Sequence, residues 1–158
     1  MKKLHSILAC VDLSAYSIST MEYAVALARG LMTEIVVLNI INSRDIQAIK
    51  SVSAEFPHRV DIDEFLKKTR ESRYWQVDEM LNEHFSSDSE RMRILVEVGI
   101  PFKAILRTIE TEMADLVVIG NKGRGNVIGT LFGSNAEKVF RHSPVPVLSI
   151  RNIAQFSR

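Results

Sequence analysis

The sequence predicts an α/β fold: an open, doubly wound, five-stranded parallel sheet with helices on both faces, Rossmann-like in layout. Three observations carry that expectation. Short apolar runs alternate along the chain with segments of helical period, the order expected of a parallel sheet covered by helices. The runs are continuously apolar, as strands buried on both faces are. Five of the 7 glycines fall in one stretch, Gly120 to Gly133, between a strand-like run and a helix-like one. At 158 residues the chain is expected to form a single domain, 1–158, because domains run to about 150 residues.

The elements follow in order. Leu4–Val11 is a short apolar run and reads as the first strand. Ile18, Met21, Val25, Ala28 and Met32 recur at helical spacing, with Ser14 or the Ser19–Glu22 box as candidate caps and Gly30 near the end. Ile35–Ile41 is the second strand. Asn42–Arg59 shows no clear period, contains Pro57, and reads as a long irregular connection of the kind used for lids and binding loops. Asp61–Phe85 is the longest helical pattern, with Ile62, Phe65, Leu66, Thr69, Val77, Met80, Leu81 and His84 on one face and Trp75 roughly opposite. Ser86–Glu90 is polar and ends it. Ile94–Val98 is the third strand, and Gly99-Ile100-Pro101 turns into a helix with Phe102, Ile105, Ile109 and Met113 inward. Leu116–Ile119 is the fourth strand, Ser134–His142 a short helix, and Val145–Arg151 the last strand.

Pro144 and Pro146 lack the N–H that a ladder needs, so the last strand is expected at an edge. An apolar edge invites pairing with a second copy, whereas prolines can equally protect a free edge; both readings stay open on the residues alone.

Composition narrows the function classes. Hydrophobic residues make up 46% and charged residues 25%, an ordinary globular balance. A net charge of +1 offers no electrostatic footprint for nucleic acid. No apolar run is long enough for a membrane span, and no signal-like segment follows Met1, so a cytoplasmic location is expected. Cys10, the sole cysteine, reads as a small buried hydrophobe rather than a nucleophile. His5, His58, His84 and His142 lack ligand spacing, so no metal site is expected.

The glycine stretch carries the chemistry. A loop between a strand's carboxyl end and a helix's amino end is where open α/β sheets bind ligands. Glycine lets successive amides converge on an anion, and the helix beginning near Ser134 adds free N–H groups and the positive end of its dipole. Lys122 and Arg124 put cations on the same loop, and Asn121 can add polar contacts. A phosphate ester uses all of these features. The alternatives are that the glycines serve only tight turns, and that Ser134-Asn135-Ala136-Glu137 is a capping box. Two better-known phosphate motifs fail: Asn126 stands where a Walker loop needs Lys, and Ile128 where a dinucleotide fingerprint needs its last glycine.

Gly120-x2-Gly123-x9-Gly133-Ser134 resembles the G-2x-G-9x-G-[S/T] nucleotide loop of the ATP-binding members of the universal stress protein family. The resemblance extends through Ile7–Ser14, Val36–Ile41, Asp115–Gly120 and Ser143–Leu148. It implies a five-stranded universal stress protein fold and a homodimer formed through the last strand, Val145 to Arg151. It also implies an adenine nucleotide, ATP or AMP; a Mg ion could bridge its phosphates, because divalent metals often bind through phosphate oxygens with few protein ligands. Asp12 would hold the nucleoside with Cys10 and Val11 adjoining, and the Ile40 backbone would meet adenine. Gly120, Asn121, Gly123, Gly133, Ser134 and Asn135 would hold ribose and phosphates; Lys122 and Arg124 are added from their charge. Asp12 read by itself also fits a helix cap. Cys10 and Asn39 stand where many members carry Pro or another apolar residue and His. The implied function is nucleotide-dependent partner interaction in stress response or signalling. The alternatives are a slow ATP hydrolase, for which no general base stands out, and a dimeric interaction module without nucleotide.

Overall fold

The computed structural model describes residues 3–55, 61–121 and 133–151. Its elements are β1 (Ser6–Cys10), α1 (Tyr16–Leu31), β2 (Glu34–Asn42), α2 (Ser43–Glu55), α3 (Ile62–Phe85), a 3-10 turn (Ser86–Arg91), β3 (Met92–Gly99), α4 (Pro101–Thr111), β4 (Leu116–Gly120), α5 (Ser134–His142) and β5 (Val147–Ile150). The strands form one five-stranded sheet in the order β3-β2-β1-β4-β5, all pairs parallel. From β1 the chain winds outward through β2 to β3, and then continues on the other side through β4 to β5. The break in direction between β1 and β4 opens a crevice at the strands' carboxyl ends.

Side-chain alternation along each strand divides the core in two. Ile7, Ala9, Ile35, Val37 and Val118 face α1 and α3, where they meet Met21, Ala24, Val77 and Leu81. Leu8, Val36, Leu38, Val117 and Ile119 face α4 and α5, where they meet Ile105, Ile109, Ala136 and Val139. At the amino ends of the strands, Asp115 ties β1 to β4. Its carboxylate accepts from the His5 amide at 2.8 Å, and its own amide donates to the Ser6 carbonyl. The Arg29 guanidinium closes the bottom of α1 onto the 3-10 turn, donating through Nε and Nη2 to the Asp88 carboxylate at 2.8 and 2.5 Å. These two bonds, against the desolvation of burial, hold the Asp88 carboxyl below the usual carboxylate range.

Several expectations are corrected. The connection after β2 is no irregular loop: Ser43–Glu55 is α2, and residues 56–60 with Pro57 lie outside the described residues. Asn42 starts the turn by accepting the Arg44 amide at 3.1 Å. Ile46 of α2 is buried, and Ile49 and Ser53 beside it are partly covered, so the helix hides a narrow stripe. On α3 the buried stripe closes on Phe85 rather than His84, which is exposed. Met113 lies past the end of α4, at φ 48° and 82% exposed, and contributes nothing to the inward face. α1 is led in by Ala15, with neither Ser14 nor Ser19 as N-cap, although the Tyr16 amide donates to Ser14 Oγ at 3.3 Å; Gly30 lies near its end as expected, and the left-handed C-cap is Met32. β5 is shorter than Val145–Arg151, and it lies at the edge as expected. Trp75 points outward, 65% exposed.

Candidate functional site

The crevice between β1 and β4 continues into a cavity of ≈ 390 Å³, inside the usual range for small-molecule sites. Its floor is made by the carboxyl halves of three strands, with Cys10 and Gly120 at the ends of β1 and β4, Ile119 beside Gly120, and Leu38 and Ile40 on β2. One side is built by the turn after β1. The Val11 amide donates to Leu38 O at 2.9 Å, and the buried Asn39 side chain donates through Nδ2 to Val11 O at 2.9 Å. β2 therefore grips both backbone groups of Val11. Asp12 follows, and its Oδ1 accepts from the Ser14 amide at 3.0 Å and from Ser17 Oγ at 3.3 Å. Leu13 completes the turn at φ 62°, a left-handed conformation that a leucine adopts at a cost of about 1 kcal/mol or more. The turn thus holds the Asp12 side chain against the amino end of α1, at the cavity wall. Both readings of Asp12 from sequence meet here: it bonds the turn and also lines the cavity.

The opposite side is the start of α5. Gly133 is its N-cap, with φ −68° and ψ 147°. The Gly133 amide donates to Asn121 O at 2.6 Å, and the Asn121 amide donates to Ile150 O at 2.8 Å. The two ends of the glycine loop are thereby pinned together and to β5. The first intrahelical bond runs from the Glu137 amide to Gly133 O. The amides of Ser134, Asn135 and Ala136 have no acceptor among the described residues, as geometry requires of a helix's first turn. The N-cap is Gly133 and makes no side-chain cap bond, so the alternative reading of Ser134–Glu137 as a capping box does not hold. An open helix N-terminus of this kind presents donors and a positive dipole end to an anion.

The structure brings Cys10, Val11, Asp12, Ile40, Gly120, Asn121, Gly133, Ser134 and Asn135 together around this cavity. Lys122, Gly123 and Arg124 lie outside the described residues. Burial pushes the Cys10 thiol up to about 12, so it is a protonated wall residue at neutral pH. Sequence reading missed Tyr16 and Ser17 of α1, Asn42 at the end of β2, Asp45 of α2, Arg73 of α3 and Pro101 of α4, all of which line the cavity. Arg73 carries a readable signal: it falls four residues after Thr69 and four before Val77, a cation within the inward stripe of α3. Asp45 carries none, since it lies on the helix that showed no period. Among the described residues no group of three or more His, Cys, Asp or Glu is placed to hold a metal ion, and no helix is long and apolar enough to cross a membrane.

A family model described as the universal stress protein family matches residues 3–151. The chain belongs to the universal stress protein family. Relatives share limited stretches with this member. Universal stress protein MJ0577 of Methanocaldococcus jannaschii is 33% identical over 61 residues, covering 39% of this chain and 38% of that one. A universal stress protein of Thermus aquaticus is 43% identical over 53 residues, covering 34% of this chain and 39% of that one. The alignments thus span about two fifths of either relative. The solved structure of MJ0577 superposes with a TM-score of 0.74 at 23% identity, over 96% of this chain and 98% of that one. A universal stress protein crystallised in complex with cAMP superposes with a TM-score of 0.65 at 18% identity, over 95% of this chain and 98% of that one. Both superpositions bear out the universal stress protein fold expected from the sequence.

Proposed function

We propose that this member binds an adenine nucleotide, ATP or AMP, in the cavity between β1 and β4, and that binding controls its interaction with partners in stress response or signalling. One observation carries the reading. The first-turn residues of α5, whose amides have no acceptor among the described residues, line the same cavity as Asp12 and Ile40 of β2, which leaves room for an anion at one end and a nucleoside at the other. In this reading Ser134 and Asn135 meet phosphate, together with Gly120, Asn121 and Gly133 and with Lys122, Gly123 and Arg124 of the loop. Asp12 accepts from ribose hydroxyls, Cys10 and Val11 form the wall beside it, and the Ile40 backbone meets the base. A Mg ion would be held chiefly by phosphate oxygens and water, which suits a site with few protein carboxylates. The cAMP complex of a relative supports a nucleotide as the ligand class. At one hundred times its Kd a ligand stabilises the fold by about 2.7 kcal/mol, a rise in Tm of roughly 5–10 °C at this size. A saturable shift of that order with ATP or AMP, checked by equilibrium dialysis, is expected. No saturable binding of ATP, AMP or GTP would reject the reading.

The assembly we propose is a homodimer through β5. That strand pairs with β4 on one side only, and Phe140 on the adjoining α5 is 65% exposed. Sedimentation at micromolar concentration should give the dimer mass; a monomer would overturn the assembly and leave the nucleotide site standing.

A further inference from the structure

The walls of the cavity differ in chemistry. The α5 side offers backbone amides, and the opposite side brings side chains from three helices: Ser17 of α1, Asp45 of α2 and Arg73 of α3. Among the described lining residues Arg73 is the one cation, and it faces a space shared with the carboxylates of Asp12 and Asp45. Two carboxylates around one cavity oppose the entry of an anion, because low-dielectric walls screen charge less than water does. Arg73 lies on the stripe of α3 that turns toward the sheet, between half-buried Thr69 and buried Val77. An apolar side chain would pack there at lower desolvation cost. The aliphatic stem of an arginine can satisfy such packing, and Arg73, half-buried, lines the cavity.

We propose that Arg73 makes this cavity selective for phosphorylated ligands over neutral nucleosides, by supplying from α3 a positive charge that offsets Asp12 and Asp45. The proposal rests on the nucleotide reading and goes past it, since that reading assigns no role to any residue of α3. Within a cavity the charge acts over several ångströms, so contact with a phosphate is unnecessary.

The test measures Kd for AMP, ATP and adenosine by calorimetry at low and high salt. It compares the unmodified protein with Arg73→Met, which keeps the stem, Arg73→Lys, which keeps the charge, and Asp45→Asn, which removes an opposing charge from an exposed position on α2. Loss of one partly screened charge is expected to weaken AMP and ATP about tenfold in Arg73→Met at low salt, less at high salt, with adenosine changed by less than about twofold. Arg73→Lys should recover most of the loss, and Asp45→Asn should tighten AMP several-fold. Equal losses for AMP and adenosine, or unchanged AMP binding, in Arg73→Met would overturn the proposal. Should Arg73→Met not fold, unchanged AMP affinity in Asp45→Asn would overturn it instead. Failure of the unmodified protein to bind either nucleotide would overturn the nucleotide reading itself, a result distinct from a selective failure of the Arg73 variants.

Discussion

Ser134→Pro is expected to weaken AMP and ATP binding by about ten- to a hundredfold while leaving the fold in place. Ser134 is the first helical residue of α5, and its amide has no acceptor among the described residues. Proline is well tolerated at that position, because its missing N–H is one the helix does not use and its fixed φ suits the first turn. It also restricts the residue before it to extended backbone, and Gly133 already sits at φ −68° and ψ 147°. The substitution therefore deletes one donor from the proposed anion site without asking the chain to move. A hydrogen bond to a charged acceptor contributes about 1.5–3 kcal/mol, which sets the size of the loss. Calorimetric Kd values with a thermal melt on the same sample check it. An unchanged Kd with an unchanged Tm would remove the α5 amides from the phosphate site. Because Gly133 spends its own amide on Asn121 O, the equivalent change there would unfasten the loop as well and could not separate binding from structure.

The largest expected effect on stability is that of Leu8→Ala, a loss of about 2–5 kcal/mol. β1 is the middle strand of the sheet, and Leu8 is fully buried among Val36, Ile105, Ile109, Val117 and Val139. Both neighbouring strands pair with it, Val36 on one side and Val117 on the other. A strand paired on both sides relaxes little around a missing side chain, so a cavity remains. Domains of this kind hold about 5–15 kcal/mol in all, so the variant should melt far earlier in urea. Val52→Ala, on the exposed side of α2, is the control and should change stability by no more than about 0.5 kcal/mol. A loss below about 1 kcal/mol for Leu8→Ala would mean that the second core layer is looser than the packing describes.

What could be read in advance follows from what each residue buries. Strands such as Ile35–Ile41 were legible because each is covered on both faces, and a continuous apolar run is the direct imprint of that. The glycine stretch was legible because five of the 7 glycines gather between Gly120, which ends β4, and Gly133, which caps α5. Asp12 and Ile40 became candidates through resemblance, and Asp12 gains a physical basis only from the turn it bonds with Ser14 and Ser17. α2 was hidden, since a helix that buries little more than Ile46 is held by its neighbours rather than by a period of its own.

The sequence by itself determined the α/β class, the succession of strands, the edge position of the proline-flanked last strand and the place of the glycine loop. These are local matters: they depend on which faces a segment must hide and which backbone angles it must reach. Only the tertiary structure decided that β1 lies at the centre with β4 beside it, that the α5 amides rather than a Ser134 cap face the cavity, and that Asp45 and Arg73 join it from helices far along the chain. The reason is physical. A pattern of apolar residues states that a surface will be covered without naming what covers it, and a cavity wall is made by the encounter of surfaces that the pattern leaves unpaired.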